Sequence, residues 1–183
     1  MSNHPSAQQG VTMPIKLRPA SVDDAEAIGN IRVSAWQAAY EAFMPKDFLN
    51  ALDPLANLDA LREKLAQPSD GFMVNVADVD GSAVAFSILG SPRYATHILS
   101  TELWALNVHP DFWRQGIGRT LTFDTVNTAK TLGFQCIELW CIHGNLPACA
   151  TYEGCGFTLV GQERTSSTLT GHPLREILYT KAL

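Results

Sequence analysis

A chain of 183 residues, 46% of them apolar and 17% charged, is long enough to bury one core and falls within ordinary single-domain size. A formal charge of -5 with no Lys/Arg cluster excludes a protein that works by neutralising nucleic-acid phosphates, and no run of about 18 apolar residues is present to cross a bilayer. The polar opening Met1 to Gly10 lacks the basic and apolar stretches of a signal peptide, so the cytoplasm is the expected compartment, with neither nucleic acid nor membrane as partner.

Residues 1–13 carry no apolar period and are expected to form a disordered leader ahead of a single domain over 14–183. Ile15 to Arg18 alternates like a strand, and Ser21 with Asp24 three residues on caps a helix carrying Ala25, Ile28, Ile31 and Ala35. Trp36, Tyr40 and Phe43 follow at helical spacing until Pro45, and Leu55 to Ala66 predicts another amphipathic helix. From Phe72 the period drops to two. Phe72 to Ala77 and Ser82 to Leu89 flank Asp80-Gly81, a hairpin signature. Glu102 to Val108 predicts a strand, Thr120 to Leu132 a helix closed by Gly133, and Gln135 to Ile142 a strand. A short helix over Pro147 to Glu153 and strands over Phe157 to Gln162 and Leu174 to Thr180 complete an α/β or α+β chain with one sheet.

Four cysteines, Cys136, Cys141, Cys149 and Cys155, make no C-x-x-C pair, so reduced thiols and no metal are expected. Cys149 and Cys155 have no activating His and Asp nearby in sequence, which leaves an acyl-cysteine route without support. The distinctive feature is the turn Arg114-Gln115-Gly116-Ile117-Gly118-Arg119 between a strand and a helix. Glycines there let the backbone approach an anion while the first helical amides face it, and two arginines add charge. Leu121 stands where a dinucleotide fingerprint needs its third glycine, and Arg119-Thr120 replaces the Lys-Ser/Thr of a P-loop. A turn that merely packs helix on strand is the competing reading.

The stretch from Leu103 to Arg119 resembles the signature of the GNAT superfamily of acyl-CoA N-acyltransferases, whose pattern is Q/R-x-x-G-x-G/A; Trp113 stands at the leading Q/R position. Asn145-Leu146-Pro147-Ala148-Cys149-Ala150-Thr151-Tyr152, followed by Gly156-Phe157, resembles the family's second element, and the likeness runs from Ile15 to the C-terminus. The resemblance implies a GNAT-like fold: a single mixed sheet of about six to seven strands, flanked by helices and splayed at one point. The pantetheine arm of acetyl-CoA would lie in that gap against Leu106, Asn107 and Val108. Amides from Gln115 to Thr120, with Arg114 and Arg119, would take the pyrophosphate, and the family supports a homodimer.

The resemblance also implies an enzyme acetylating a primary amine by direct attack in a ternary complex, with a small molecule, a protein N-terminus or a lysine as acceptor. An alkyl amine is almost wholly protonated at pH 7, so a base is useful, and Glu102 stands where several family members carry a catalytic glutamate that acts directly or through water. The competing reading of Glu102 is a solvated strand-end carboxylate or a structural partner of an arginine. Tyr152 is the expected proton donor to the CoA thiolate, Asn145 a ligand of the cofactor arm or simply a helix cap, and the Val108 N–H a donor to the developing oxyanion. Trp36 and Tyr40 either face the acceptor or pack in the core, and Tyr94 and His97 lie in the loop where the acceptor would enter. A non-catalytic acyl-CoA sensor is the competing function.

Overall fold

A computed structural model describes residues 14–93, 99–168 and 170–183. Seven strands form one mixed sheet in the order β1-β2-β3-β4-β5-β7-β6. They are β1 (Lys16–Pro19), β2 (Met73–Val79), β3 (Ser82–Gly90), β4 (Ser100–Val108), β5 (Cys136–Ile142), β6 (Thr158–Ser166) and β7 (Leu174–Ala182). Five helices accompany them: α1 (Ala25–Ala39), α2 (Lys46–Asn50), α3 (Leu58–Ala66), α4 (Ile117–Thr131) and α5 (Leu146–Gly154).

Local chemistry accounts for the order of elements. Ser21 and Asp24 form the capping box ahead of α1, and Arg18 on β1 reaches both oxygens of Asp24 (2.7 and 2.8 Å) and Asp78 on β2 (2.7 Å), tying the helix entry to the sheet edge. Asp80 and Gly81 both have positive φ (51° and 81°), as a two-residue hairpin between right-twisted strands requires. Ile28 and Ile31 of α1 pack on Val74, Val76 and Phe86 on one face of the sheet. Val126 and Ala129 of α4, with Cys149 of α5, pack on Leu103, Ile137, Leu139 and Cys141 on the other.

The feature that positions the site is the junction of β4 and β5. The strands run parallel but pair only over Ser100–Glu102 against Cys136–Glu138, and beyond that point they diverge. Just there, β4 carries a bulge: Ile88 faces Ala105 and Leu89 faces Leu103, leaving Trp104 as the extra residue. Gly90 makes the bulge possible, because a Cβ at that position would lie 2.3 Å from the Trp104 ring. The sheet is therefore split along half its height.

Several expected boundaries move. The helix expected from Leu55 begins at Leu58, since Asn57 adopts a left-handed conformation (φ 62°) that the helix cannot contain. The helix expected from Thr120 begins at Ile117, because Gly116 (φ 82°) is itself the cap and the glycine turn flows straight into the first helical turn. Trp36 lies in α1, whereas Tyr40 caps it and Phe43 falls in the turns beyond; α2 then follows Pro45. The last two strands extend further, to Ser166 and Ala182, because they pair with each other. The expected leader over 1–13 lies outside the described residues, as do Tyr94 and His97. No helix among the described residues is long and apolar enough to cross a membrane.

Candidate active site in the split sheet

A cleft of about 1050 Å³ runs through the split, bounded by α1 and α3 at one end and by the start of α4 at the other. That volume lies at the upper end of the range for small-molecule and cofactor sites.

Its α4 end is built from backbone. His109 N–H donates to the Val84 carbonyl (2.8 Å), so along this extended strand Leu106 and Val108 turn their own N–H and C=O groups the opposite way, toward the gap. Asn107 is consequently turned to β3, where it faces Phe86, and only its side chain is available to the cleft. After the strand, Pro110 to Phe112 make a single 3-10 turn, Arg114 takes φ 59° and Gly116 φ 82°. The amides of Gln115, Gly116, Ile117, Gly118 and Arg119 meet no protein acceptor among the described residues, as expected where a helix starts. Thr120 N–H differs: it already donates to the Gly116 carbonyl (2.9 Å) and belongs to the helix ladder. A Cβ at Gly116 would meet nothing within 4 Å. The concave run of amides, with Arg114 and Arg119 beside it and neither in a salt bridge among the described residues, can hold a diphosphate.

Trp113, at the position that departs from the family pattern, is fixed by a specific bond, its indole N–H donating to the Val108 carbonyl (2.6 Å). Half of the backbone valence that Val108 turns toward the gap is thus already engaged, and its N–H is what remains for a ligand.

The middle of the cleft is lined from α5 and β5. Asn145, which lines the cleft, caps α5 by accepting from Ala148 N–H (3.4 Å) through its Oδ1, and its Nδ2 has no protein acceptor among the described residues. Cap and cleft-lining group are therefore the same side chain. Tyr152 lines the cleft about two turns further on, its ring set edge-on against Phe157 (5.9 Å between centroids). Burial, reinforced by Cys141, Tyr40 and Cys149, raises its hydroxyl well above the ordinary value, so the phenol is held protonated. Cys141 and Cys149 lie 3.7 Å apart, sulfur to sulfur, and burial raises the Cys141 thiol likewise.

Glu102 is placed elsewhere. It is 0% exposed, sits on the last paired step before the split and faces Glu138 across the strands. The Arg93 backbone N–H donates to one of its oxygens (2.8 Å), and the Arg93 guanidinium binds the other. It does not line the cleft. The arginine-partner reading fits this geometry, whereas a solvated strand-end carboxylate and direct contact with an acceptor do not. Trp36 and Tyr40 do line the cleft, 5.7 Å apart, and burial raises the Tyr40 phenol too.

One acidic residue absent from the sequence-based candidates does line the cleft. Glu176 on β7 is 7% exposed, and the Nε of Arg164 on β6 donates to it at 2.6 Å. No motif marks it; it reaches the site because β7 inserts beside β5.

Comparison with known proteins agrees with this arrangement. Residues 32–157 match the model of the acetyltransferase (GNAT) family. An uncharacterized N-acetyltransferase, YuaI, of Bacillus subtilis is 25% identical over 163 residues, spanning 89% of this chain and 90% of that protein. The mycothiol acetyltransferase of Segniliparus rotundus is 29% identical over 110 residues, 58% of this chain and 42% of that longer protein. Among solved structures, the PaiA N-acetyltransferase of Thermoplasma acidophilum in complex with coenzyme A superposes with a TM-score of 0.75 at 17% identity, covering 93% of this chain and all of that one. Split sheet, amide cradle and family match converge on one conclusion: the chain belongs to the acetyltransferase (GNAT) family.

Proposed function

We propose that the chain transfers an acetyl group from acetyl-CoA to a primary amine that enters the cleft beside Tyr40 and Trp36. The family uses acetyl-CoA, which supplies an activated acetyl thioester. The observation that carries the reading is the cradle of amides from Gln115 to Arg119, continuous with the open edge of β4 and with Tyr152.

In this reading the Gln115 to Arg119 amides, with Arg114 and Arg119, hold the diphosphate. The Leu106 backbone and the Val108 N–H hold the pantetheine arm as an added strand is held by a sheet edge, and Asn145 Nδ2 steadies it from the opposite wall. The Tyr152 hydroxyl donates to the sulfur as the C–S bond breaks, while the acceptor nitrogen, having first lost its ammonium proton to water, forms the C–N bond and passes its second proton to water, which in turn restores the phenol. A phenol held protonated suits that role over the whole neutral range. Glu102, sealed beneath Arg93, supports the base of the split and does not touch the acceptor.

The test is release of free thiol from acetyl-CoA against a panel of amines and peptides, together with melting curves. Acetyl-CoA is expected to raise the melting temperature, and Gly118→Trp, whose side chain would project toward Val108 and Leu106, is expected to remove that rise. Melting that ignores excess acetyl-CoA would sink the proposal. Binding without thiol release for any amine would favour the sensor.

A further inference from the structure

The charges that line the cleft are distributed unequally. Among the described residues, Glu176 is its one carboxylate, whereas Arg32 and Lys64 line the same cleft from α1 and α3. Glu176 faces the acceptor wall: it is in register with Ile142, which packs with Met44 and Leu49 beside Trp36 and Tyr40. Its charge also acts on the Tyr40 phenol. Arg164 stacks at 4.0 Å over Trp140, a further cleft residue, and holds the carboxylate through its Nε. Arg32 lies eight residues before Tyr40, about 12 Å along α1 from it at helical rise. Neither Arg32 nor Lys64 forms a salt bridge among the described residues.

Resting on the proposed acetyl transfer, we infer that Glu176 anchors the acceptor's ammonium group and that the acceptor carries a single positive charge on an apolar or aromatic body. Arg164 takes one oxygen of that carboxylate through its Nε, and the second oxygen, beside aromatic faces, is the site for one further cation. A second ammonium, as in a polyamine, would find no second carboxylate among the described cleft residues, only the further cations Arg32 and Lys64, and like charges at such sites repel. The acceptor's far end is thus neutral or anionic.

The test compares 2-phenylethylamine with spermidine, by thiol release and by calorimetric titration into the full chain saturated with CoA. The expected result is a preference of about 100-fold in kcat/KM for the monoamine. Glu176→Gln should raise its KM by about tenfold or more with acetyl-CoA affinity unchanged. Because that change also strips Arg164 of a partner, Lys64→Glu on the exposed face of α3 provides a second reading: the spermidine to phenylethylamine ratio should rise about tenfold. Spermidine equal to or better than the monoamine in the unaltered chain overturns the inference while leaving acetyl transfer intact. Thiol release with no amine, alongside calorimetric binding of phenylethylamine, overturns the transfer reading alone; absence of both overturns the two together.

Discussion

At the scale of single residues, two side chains illustrate how burial separates a chemical role from a structural one. Tyr152 is half-buried and open to the cleft, and with its phenol raised it does not titrate below about pH 10. Tyr152→Phe is expected to lower kcat by about 100-fold with little change in acetyl-CoA affinity, and the pH-rate profile of the parent chain should rise as the amine deprotonates without an alkaline fall below pH 10. A descending limb near pH 8 to 9 that disappears in the variant would assign the phenol a different state. Glu102 is buried and closed off. Replacing it with Gln strands the Arg93 charge, a change that typically costs about 3 to 5 kcal/mol, so the melting temperature should drop sharply while the folded fraction keeps its turnover. Loss of kcat without loss of stability would restore Glu102 as the base. The glycine turn was legible in the sequence because its spacing and conformation are local properties. The Glu102 partner was not: Arg93 lies nine residues away on the far side of a loop, and only the chain's return onto β4 brings them together.

At the scale of elements, the entry to α1 depends on Arg18, which gathers Asp24 and Asp78 from two different elements. The guanidinium bonds hold the Asp24 carboxyl down to about 2, below its ordinary value near 3.8. A depressed carboxylate stabilises the fold above its unfolded pKa and ceases to do so as pH falls through the folded value. Roughly 2 kcal/mol should therefore disappear between pH 4 and pH 2, and Asp24→Asn should flatten that part of an acid-denaturation curve. An acid limb unaltered in the variant would mean that the clamp contributes nothing to acid sensitivity. Here too the local signal was readable, since Ser21 and Asp24 stand at capping-box spacing, while the long-range half was not, because Asp78 reaches Arg18 only through β1–β2 pairing. Boundaries shifted for a related reason. Asn57 and Gly116 hold left-handed conformations that begin helices at points where an apolar period alone does not mark them.

At the scale of the whole molecule, strand order determines which residues can meet. Glu176 enters the site because β7 lies between β5 and β6, a placement that no local pattern carries, whereas Tyr152 and Asn145 were within reach of the sequence because α5 follows β5 directly. The split has a mechanical consequence as well. Three register steps on β4 and β5 are all that join the four-stranded and three-stranded halves of the sheet edge to edge, with α4 and α5 bridging one face. Whatever fills the gap with an extended chain of donors and acceptors completes the missing ladder and becomes a suture between two half-sheets. Amide exchange at Leu139 to Ile142 should then slow together with exchange at Leu106 and Val108 when CoA is added, although the two strands have no hydrogen bond to share there. Protection confined to the β4 side would mean that the halves respond to the ligand separately.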